Sequence, residues 1–233
     1  MRKVLLIAAL LALAFTCQAQ YVPTTLAAQQ HGGTSGITIV QHRSTFCLGV
    51  TSCALSFSSS VGSGHLLGYF IQGTGCSLTT DNNSNTVAPA LTYANNSHSR
   101  IDYVSSSNSG STTVTAGGCT LGDIHLHIWE VSGLAGTFDK QGVNGTSGTA
   151  LSVSTSSGTT AANEIVFGFF SDGGTANTFT IGSGFTASET TNDTSSNDAS
   201  FSEAQVVSTT GTKTATATAA TSATIDEMVV TFK

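Results

Sequence analysis

The stretch DIHLHIWEV at residues 123–131 decides the fold, because its residue types alternate with a period of two. Aliphatic side chains occupy every second position, and two imidazoles and an indole occupy the positions between them. The first set is Ile124, Leu126 and Ile128, and the second is His125, His127 and Trp129. In an extended strand these two sets project from opposite faces of the sheet. The stretch therefore predicts a β-strand with one face in an apolar core.

The rest of the chain repeats this pattern in short runs separated by Gly, Ser, Asn and Thr. Such spacing is typical of an all-β protein, and it predicts an antiparallel β-sandwich, jelly-roll-like, of about 12–14 short strands. The runs HLLGYFIQ (65–72) and EIVFGFF (164–170) are more continuously apolar, so we expect them to be central strands buried on both faces. Residues 145–163 and 188–200 are polar and low in complexity, apart from a short run at 150–154, and are predicted to be surface connections.

The N-terminal sequence MRKVLLIAALLALAFTCQAQ is typical of a bacterial secretory signal peptide. Two basic residues precede an apolar run, and small residues precede a cleavage site after Ala19. The alternative is lipid attachment at Cys17, which Phe15 and Thr16 fit poorly. We therefore predict a signal peptide at 1–19, an extended arm at 20–36 and a single β-sandwich domain at 37–233, secreted or held at the cell surface.

Four cysteines follow the predicted leader, and an even number in a secreted chain favours disulfides. Three pairings of four cysteines are possible, and of these we predict Cys47 with Cys53 and Cys76 with Cys119. A zinc site is the alternative, but no two cysteines have the C-x-x-C spacing of common zinc ligands.

The charge of the chain excludes one class of partner. Of seven Lys and Arg residues, two lie in the predicted leader, so five remain against thirteen acidic residues, a net charge of −8. Five dispersed cations cannot form the basic surface that nucleic acid requires. No segment after the leader has the roughly 20 apolar residues of a membrane-spanning helix.

The second face of the 123–131 strand is the main candidate site. His125 and His127 have the H-x-H spacing of some metal sites in β-barrels, although the sequence indicates no third ligand among His65, His98, Asp102 and Asp123. Trp129 beside them suggests a glycan-binding surface, because sugar C–H faces stack on aromatic rings. A third interpretation is a solvated or partly covered sheet face without a ligand, whose rings pack against neighbouring side chains.

Two further patterns are weaker. Asp81, Asn83 and Asn85 begin like a calcium loop, but Thr86 and Thr92 stand where that loop needs Gly and an acid, so an Asx-rich turn explains them better. The carboxylates considered as acid and base are Asp102, Asp123, Glu130, Asp139, Glu164 and Asp172. No nucleophile elbow or phosphate loop accompanies them, so we predict neither an enzyme nor a cofactor.

Three stretches carry a resemblance to a family: TTDNNSNTV (79–87), HIWEVSGLAGTFD (127–139) and TTAANEIVFGFF (159–170) followed by IGSGFT (181–186). They resemble the secreted jelly-roll modules of bacterial adhesin-like surface proteins, which carry D-x-x-G-N-T, E-Y-S-G-L and T-x-x-N-D motifs. Ser84, Val131 and Glu164 depart from those motifs. The resemblance implies an extracellular module without a known catalytic centre.

Together these features predict a non-catalytic extracellular structural or adhesive subunit. The arm at 20–36 would pair with a sheet edge of a neighbouring copy and so form a homo-oligomer or filament. The alternative is a lectin-like module that binds a glycan through His125, His127 and Trp129.

Overall fold

The structure is a computed structural model that describes residues 36–92 and 98–233, and every regular element within them is a β-strand. The predicted signal peptide and nearly all of the predicted arm lie outside the described residues. The strands are β1 (Thr38–Val50), β2 (Cys53–Ser56), β3 (Leu66–Gln72), β4 (Leu78–Asp81), β5 (Ala88–Thr92), β6 (Ser99–Val104), β7 (Thr113–Gly117), β8 (Gly122–Ser132), β9 (Phe138–Ser154), β10 (Asn163–Gly173), β11 (Phe179–Thr180), β12 (Ala187–Asp193), β13 (Asp198–Ser208) and β14 (Thr214–Phe232).

The first eight strands form two interlocked antiparallel sheets. A five-stranded sheet has the order β1-β8-β3-β6-β5, and a three-stranded sheet has the order β2-β7-β4. The chain crosses repeatedly between these sheets, and its strand order β1-β8-β3-β6 opposite β2-β7-β4 is that of a jelly roll. The predicted antiparallel β-sandwich is therefore confirmed.

The last six strands form a further antiparallel sheet, in which β10 lies between β13 and β14. Strand β9 pairs with β14 along most of its length, with an irregularity between Thr218 and Ala223. A Cβ atom on Gly142 would lie 2.0 Å from the carbonyl oxygen of Ser154, so β9 folds back close to itself. The β9–β14 ribbon thereby places Ala215 against the outer face of β10, where Gly168 leaves the space for it.

Three apolar clusters hold these layers together. The first lies between the three- and five-stranded sheets, the second lies between the five-stranded sheet and the β10 sheet, and the third lies between the β10 sheet and the ribbon. The five-stranded sheet is therefore covered on both faces. Strands β3 and β10 are buried along nearly all of their length, as their apolar sequences predict.

Two stretches that the sequence predicts to be surface connections are largely strands. Residues 188–200 contain most of β12 and the start of β13, and residues 145–149 belong to β9 together with the run 150–154 that the sequence predicts to be extended. The prediction is wrong for 145–149 and for most of 188–200, because these residues are mainly Gly, Ser, Thr, Asn and Asp and so lack an apolar period. Their pairing is fixed by the neighbouring strands β13 and β14.

Both predicted disulfides are confirmed. Cys47–Cys53 connects β1 to β2 across the turn between them, with a Cα–Cα distance of 5.7 Å. Cys76–Cys119 closes a segment with a sequence separation of 43 residues. All four cysteines contact the first apolar cluster. Among the described residues there is no helix long and apolar enough to cross a membrane.

Candidate functional site

The two histidines and the tryptophan of β8 lie between two sheets. Strand β8 is flanked by β1 and β3, and its second face is directed at the β10 sheet. His125, His127 and Trp129 share that face, as predicted, and each is 0% exposed. Opposite them lie Thr191 of β12 and Ser200 and Ser202 of β13. We call these six residues the histidine seam.

Hydroxyl groups satisfy most of the polar atoms in the seam. His127 Nδ1 lies 2.8 Å from Ser202 Oγ, and its Nε2 lies 2.8 Å from Ser200 Oγ. Trp129 Nε1 donates to Ser202 Oγ at 3.0 Å. His125 Nδ1 pairs with Thr191 Oγ1 at 2.7 Å. The seam is thus a set of hydrogen bonds between β8 and the β12–β13 pair.

Both sides of the Trp129 ring are covered. His42 of β1 stacks on it with a centroid separation of 4.4 Å, and Phe167 of β10 contacts it edge-on at 5.6 Å. His42 is held in place by Glu189 of β12, with 2.6 Å between Nδ1 and Oε1. A sugar ring therefore has no access to Trp129 unless the sheets separate. This placement removes the exposed aromatic surface that the glycan-binding hypothesis requires.

Burial keeps the two β8 histidines uncharged. Desolvation lowers the pKa of His125 to about 4, against the opposing influence of Asp193 and Asp123. Desolvation, followed by the neighbouring His125, lowers the pKa of His127 to about 3. Neutral imidazoles can bind metals, but both nitrogens of His127 already contact hydroxyls. Within residues 36–92 and 98–233, no three His, Cys, Asp or Glu residues are grouped to hold a metal ion.

The candidate calcium ligands form a turn instead. Asp81 Oδ1 accepts the backbone N–H groups of Asn83 and Asn85, at 2.9 and 3.3 Å. The side chains of both asparagines bond to Asn108, and the hydroxyl of Tyr69 donates to the other Asp81 oxygen. These contacts match the Asx-rich turn that the sequence favours.

Two of the candidate acid and base carboxylates are fully occupied by internal contacts. Glu130, which is 0% exposed, accepts from the backbone N–H of Gly62 and pairs with Gln41 and His65. Asp102 is 1% exposed and pairs with Arg100 at 2.7 Å and with the hydroxyl of Thr79. Glu130 and Asp102 are therefore buried carboxylates whose contacts lie within the fold.

Asp139 and Glu164 lie next to each other, which their separation in sequence does not predict. Their carboxyl groups lie close enough for each to influence the pKa of the other. Lys233 Nζ lies 3.1 Å from Asp139 Oδ1, and Thr160 donates to both Asp139 oxygens. The hydrogen bonds lower the pKa of Asp139 despite its burial, whereas desolvation raises the pKa of Glu164. Burial and hydrogen bonding therefore separate the pKa values of the two carboxyl groups, and Glu164 is the one that holds a proton to the higher pH.

A small cavity lies where β3 and β10 end. It has a volume of about 180 Å³ and is lined by Gln72, His98, Ser171, Asp172, Gly173, Thr224 and Asp226. Pockets that bind drug-sized ligands usually have volumes of about 300–1,000 Å³. Gln72 uses its amide nitrogen inside the protein, donating to the carbonyl oxygen of Asp172 at 2.6 Å. No local pattern in the sequence indicates this cavity, because its residues come from four separate segments of the chain.

The outer strand β1 is the other feature that the sequence did not indicate. It pairs with β8 on one side, and no described strand pairs with its other side. Val40, Phe46 and Leu48 on this strand are 45%, 38% and 49% exposed. A long edge strand with exposed apolar side chains is a template for pairing with another chain.

Comparison with protein-family models, with curated proteins and with solved structures finds no match. The site is therefore interpreted from its own geometry.

Proposed function

We propose that the chain is a non-catalytic extracellular structural or adhesive subunit, which assembles with further copies by adding a strand to the open edge of β1. The observation that carries this proposal is that one edge of the thirteen-residue strand β1 pairs with no other strand among residues 36–92 and 98–233. Its backbone groups can form a ladder of hydrogen bonds with an extended segment.

The side chains of β1 support this use of the edge. Arg43 and His42 are its basic residues, and both are bonded internally, Arg43 to the carbonyl of Ser56 and His42 to Glu189. No free like charge on β1 would therefore repel an incoming strand. The bulge between Ile39 and Gln41 interrupts pairing near one end only, and β1 pairs regularly with β8 from Gln41 to Cys47.

The segment that we propose to occupy the edge is the predicted arm, residues 20–36, of a neighbouring copy. This arm directly precedes β1 in the chain, so an arm exchanged between copies would link one sandwich to the next. Two disulfides in the jelly-roll half are compatible with an extracellular site.

The proposal is tested by multi-angle light scattering on the secreted, oxidised chain. We expect oligomers for the native protein and monomers when residues 20–36 are deleted. Leu48→Lys should also produce monomers, because a charge on an edge strand opposes further pairing. Val143→Lys is the matched control, since Val143 is equally exposed at 49% but lies on β9. An unchanged size distribution after deletion of the arm would contradict the proposal.

A further inference from the structure

The start of β9 and the end of β14 bring the carboxyl group of Asp139 and the amine of Lys233 together. The buried side chain of Glu164 lies beside them. The backbones of Thr137 and Lys233 exchange two hydrogen bonds of 2.9 Å, which fixes Lys233 beside the start of β9. The Lys233 side chain then reaches Asp139 Oδ1 at 3.1 Å and the hydroxyl of Thr160 at 2.6 Å. Its position is therefore determined by three residues.

The structure assigns a further covalent site to this cluster: we propose that Lys233 Nζ and Asp139 Cγ form an intramolecular amide bond, with Glu164 transferring the protons. The bond would join β9 to β14 at the end of the ribbon. This inference does not depend on the proposed assembly through β1.

The surroundings of Asp139 suit an acyl transfer. Its side chain is 4% exposed, so little water competes for the carboxyl group. Thr160 donates its backbone N–H to Oδ2 at 2.7 Å and its hydroxyl to Oδ1 at 2.5 Å. The N–H group can hold the oxygen that becomes negative when nitrogen adds to Cγ, as the donors of an oxyanion hole do. Holding the amine beside the carboxyl group also removes the entropic cost of bringing them together.

Glu164 has the position that the step requires. It is 0% exposed, its Oε1 accepts the backbone N–H of Ala161 at 3.1 Å, and its Oε2 receives no donor. A proton on Oε2 can bond to the Asp139 carboxylate. Burial raises the pKa of Glu164, so it holds this proton to a higher pH than an exposed glutamic acid does. Glu164 is thus the group beside Asp139 that can carry the transferred proton.

The reaction is balanced without an oxidant or a cofactor. The ammonium group of Lys233 loses two protons, and its nitrogen forms a bond to Asp139 Cγ. One Asp139 oxygen takes up two protons and leaves as water, and the charges of the ion pair cancel. Glu164 gives one proton to the leaving oxygen and receives one from the amine, so it ends in its initial state.

Lys140 is the competing amine, because its Nζ lies 3.6 Å from the same Asp139 oxygen. It is adjacent to Asp139 in sequence, whereas Lys233 approaches from another strand. Lys233 is also the nearer of the two, by the distances of 3.1 and 3.6 Å. The two amines give products that trypsin distinguishes.

The test is mass spectrometry of the full secreted chain after reduction, denaturation and tryptic digestion. Trypsin cuts after Lys and Arg, so Asp139 lies in peptide 101–140 and Lys233 in peptide 214–233. We expect these two peptides as one linked species, about 18 Da lighter than their sum because one water is lost. A bond to Lys140 would instead leave 101–213 uncut within the chain. Recovery of 101–140 and 214–233 as separate peptides overturns the proposal.

Three variants assign the roles. Lys233→Arg keeps the ion pair but cannot form the amide, so the peptides should separate. Lys140→Arg is the matched control and should retain the linked species. Glu164→Gln should reduce the linked fraction at least tenfold, since an amide does not transfer the proton. Glu164→Met, apolar and of similar size, is the second variant if Glu164→Gln lacks the native circular dichroism spectrum. Full linkage in a folded Glu164 variant would contradict the assignment of Glu164.

Discussion

Both faces of β8 are buried, but different interactions stabilise them. On one face Ile124, Leu126 and Ile128 pack in the first apolar cluster, where dispersion and the hydrophobic effect are sufficient. On the other face two imidazoles are equally buried, and Thr191, Ser200 and Ser202 supply hydrogen-bond partners to both nitrogens of His127 and to Nδ1 of His125. The comparison shows that a serine- and threonine-rich strand can be interior when it faces polar rings.

The largest effect is expected for Trp129, which has the largest apolar surface of the side chains on the polar face of β8. Trp129→Ala removes the ring that fills the space between His42 and Phe167, and it leaves Ser202 without the indole donor. We expect the free energy of unfolding to fall by about 4 kcal/mol. Urea denaturation measures this loss. Circular dichroism is the probe, because replacing the single tryptophan removes the tryptophan fluorescence signal. Trp129→Phe should lose clearly less, and equal losses would mean that packing around the ring contributes little.

The second effect is a loss of stability at low pH. We expect it from the polar face of β8 and not from the apolar face. Folding lowers the pKa of His127 from 6.5 to about 3 and that of His125 to about 4. Below pH 6.5 the unfolded chain binds protons that the folded chain does not, so stability is complete above that pH and decreases as the pH falls toward these values. By about pH 4 we expect each histidine to contribute a loss of about 3 kcal/mol.

A neutral replacement isolates this contribution. In His127→Gln the decrease in stability between pH 6.5 and pH 4 should be smaller by about 3 kcal/mol, whatever its stability at neutral pH. The native chain measured in parallel is the reference. Glu203, whose pKa burial raises to about 7, acts in the opposite direction and is common to the native chain and the variant. An unchanged pH dependence in His127→Gln would show that its imidazole is accessible to protons in the folded state.

The same comparison explains what the sequence predicts and what it does not. Period-two alternation places His125, His127 and Trp129 on one face of β8, and the even number of cysteines after the predicted leader indicates two disulfides, which the structure contains. The cover on that face comes from residues 191–202, most of which look like a polar loop. The loop assignment is wrong because a polar strand has no apolar period, and the same polar residues bury the second face of β8.

Pairings between distant strands account for the remaining differences. Asp139 and Glu164 meet because β14 lies between β9 and β10, and Lys233 joins them from the end of β14. The spacing of these three residues in the sequence does not indicate that they are close, because their proximity depends on strand order. The open edge of β1 is hidden from sequence for the same reason.

The third effect tests whether the hydroxyl partners matter. Ser202 bonds to both His127 and Trp129, so Ser202→Ala leaves two buried nitrogens without a partner. We expect a loss of about 2 kcal/mol in urea denaturation. Ser208→Ala on the same strand is the control, because Ser208 is exposed. A loss below about 0.5 kcal/mol would indicate that the nitrogens find other partners.

The smallest effect is expected on the apolar face. Ile128→Val removes one methyl group from a fully buried side chain in the first cluster and disturbs no hydrogen bond. We expect a loss of about 1 kcal/mol that is constant from pH 7 to pH 4, because no titrating group changes its surroundings. Urea denaturation at both pH values measures it. Because Ile128 and His127 are neighbours on one strand, a pH-dependent loss here would mean that the two faces of β8 are not energetically separate.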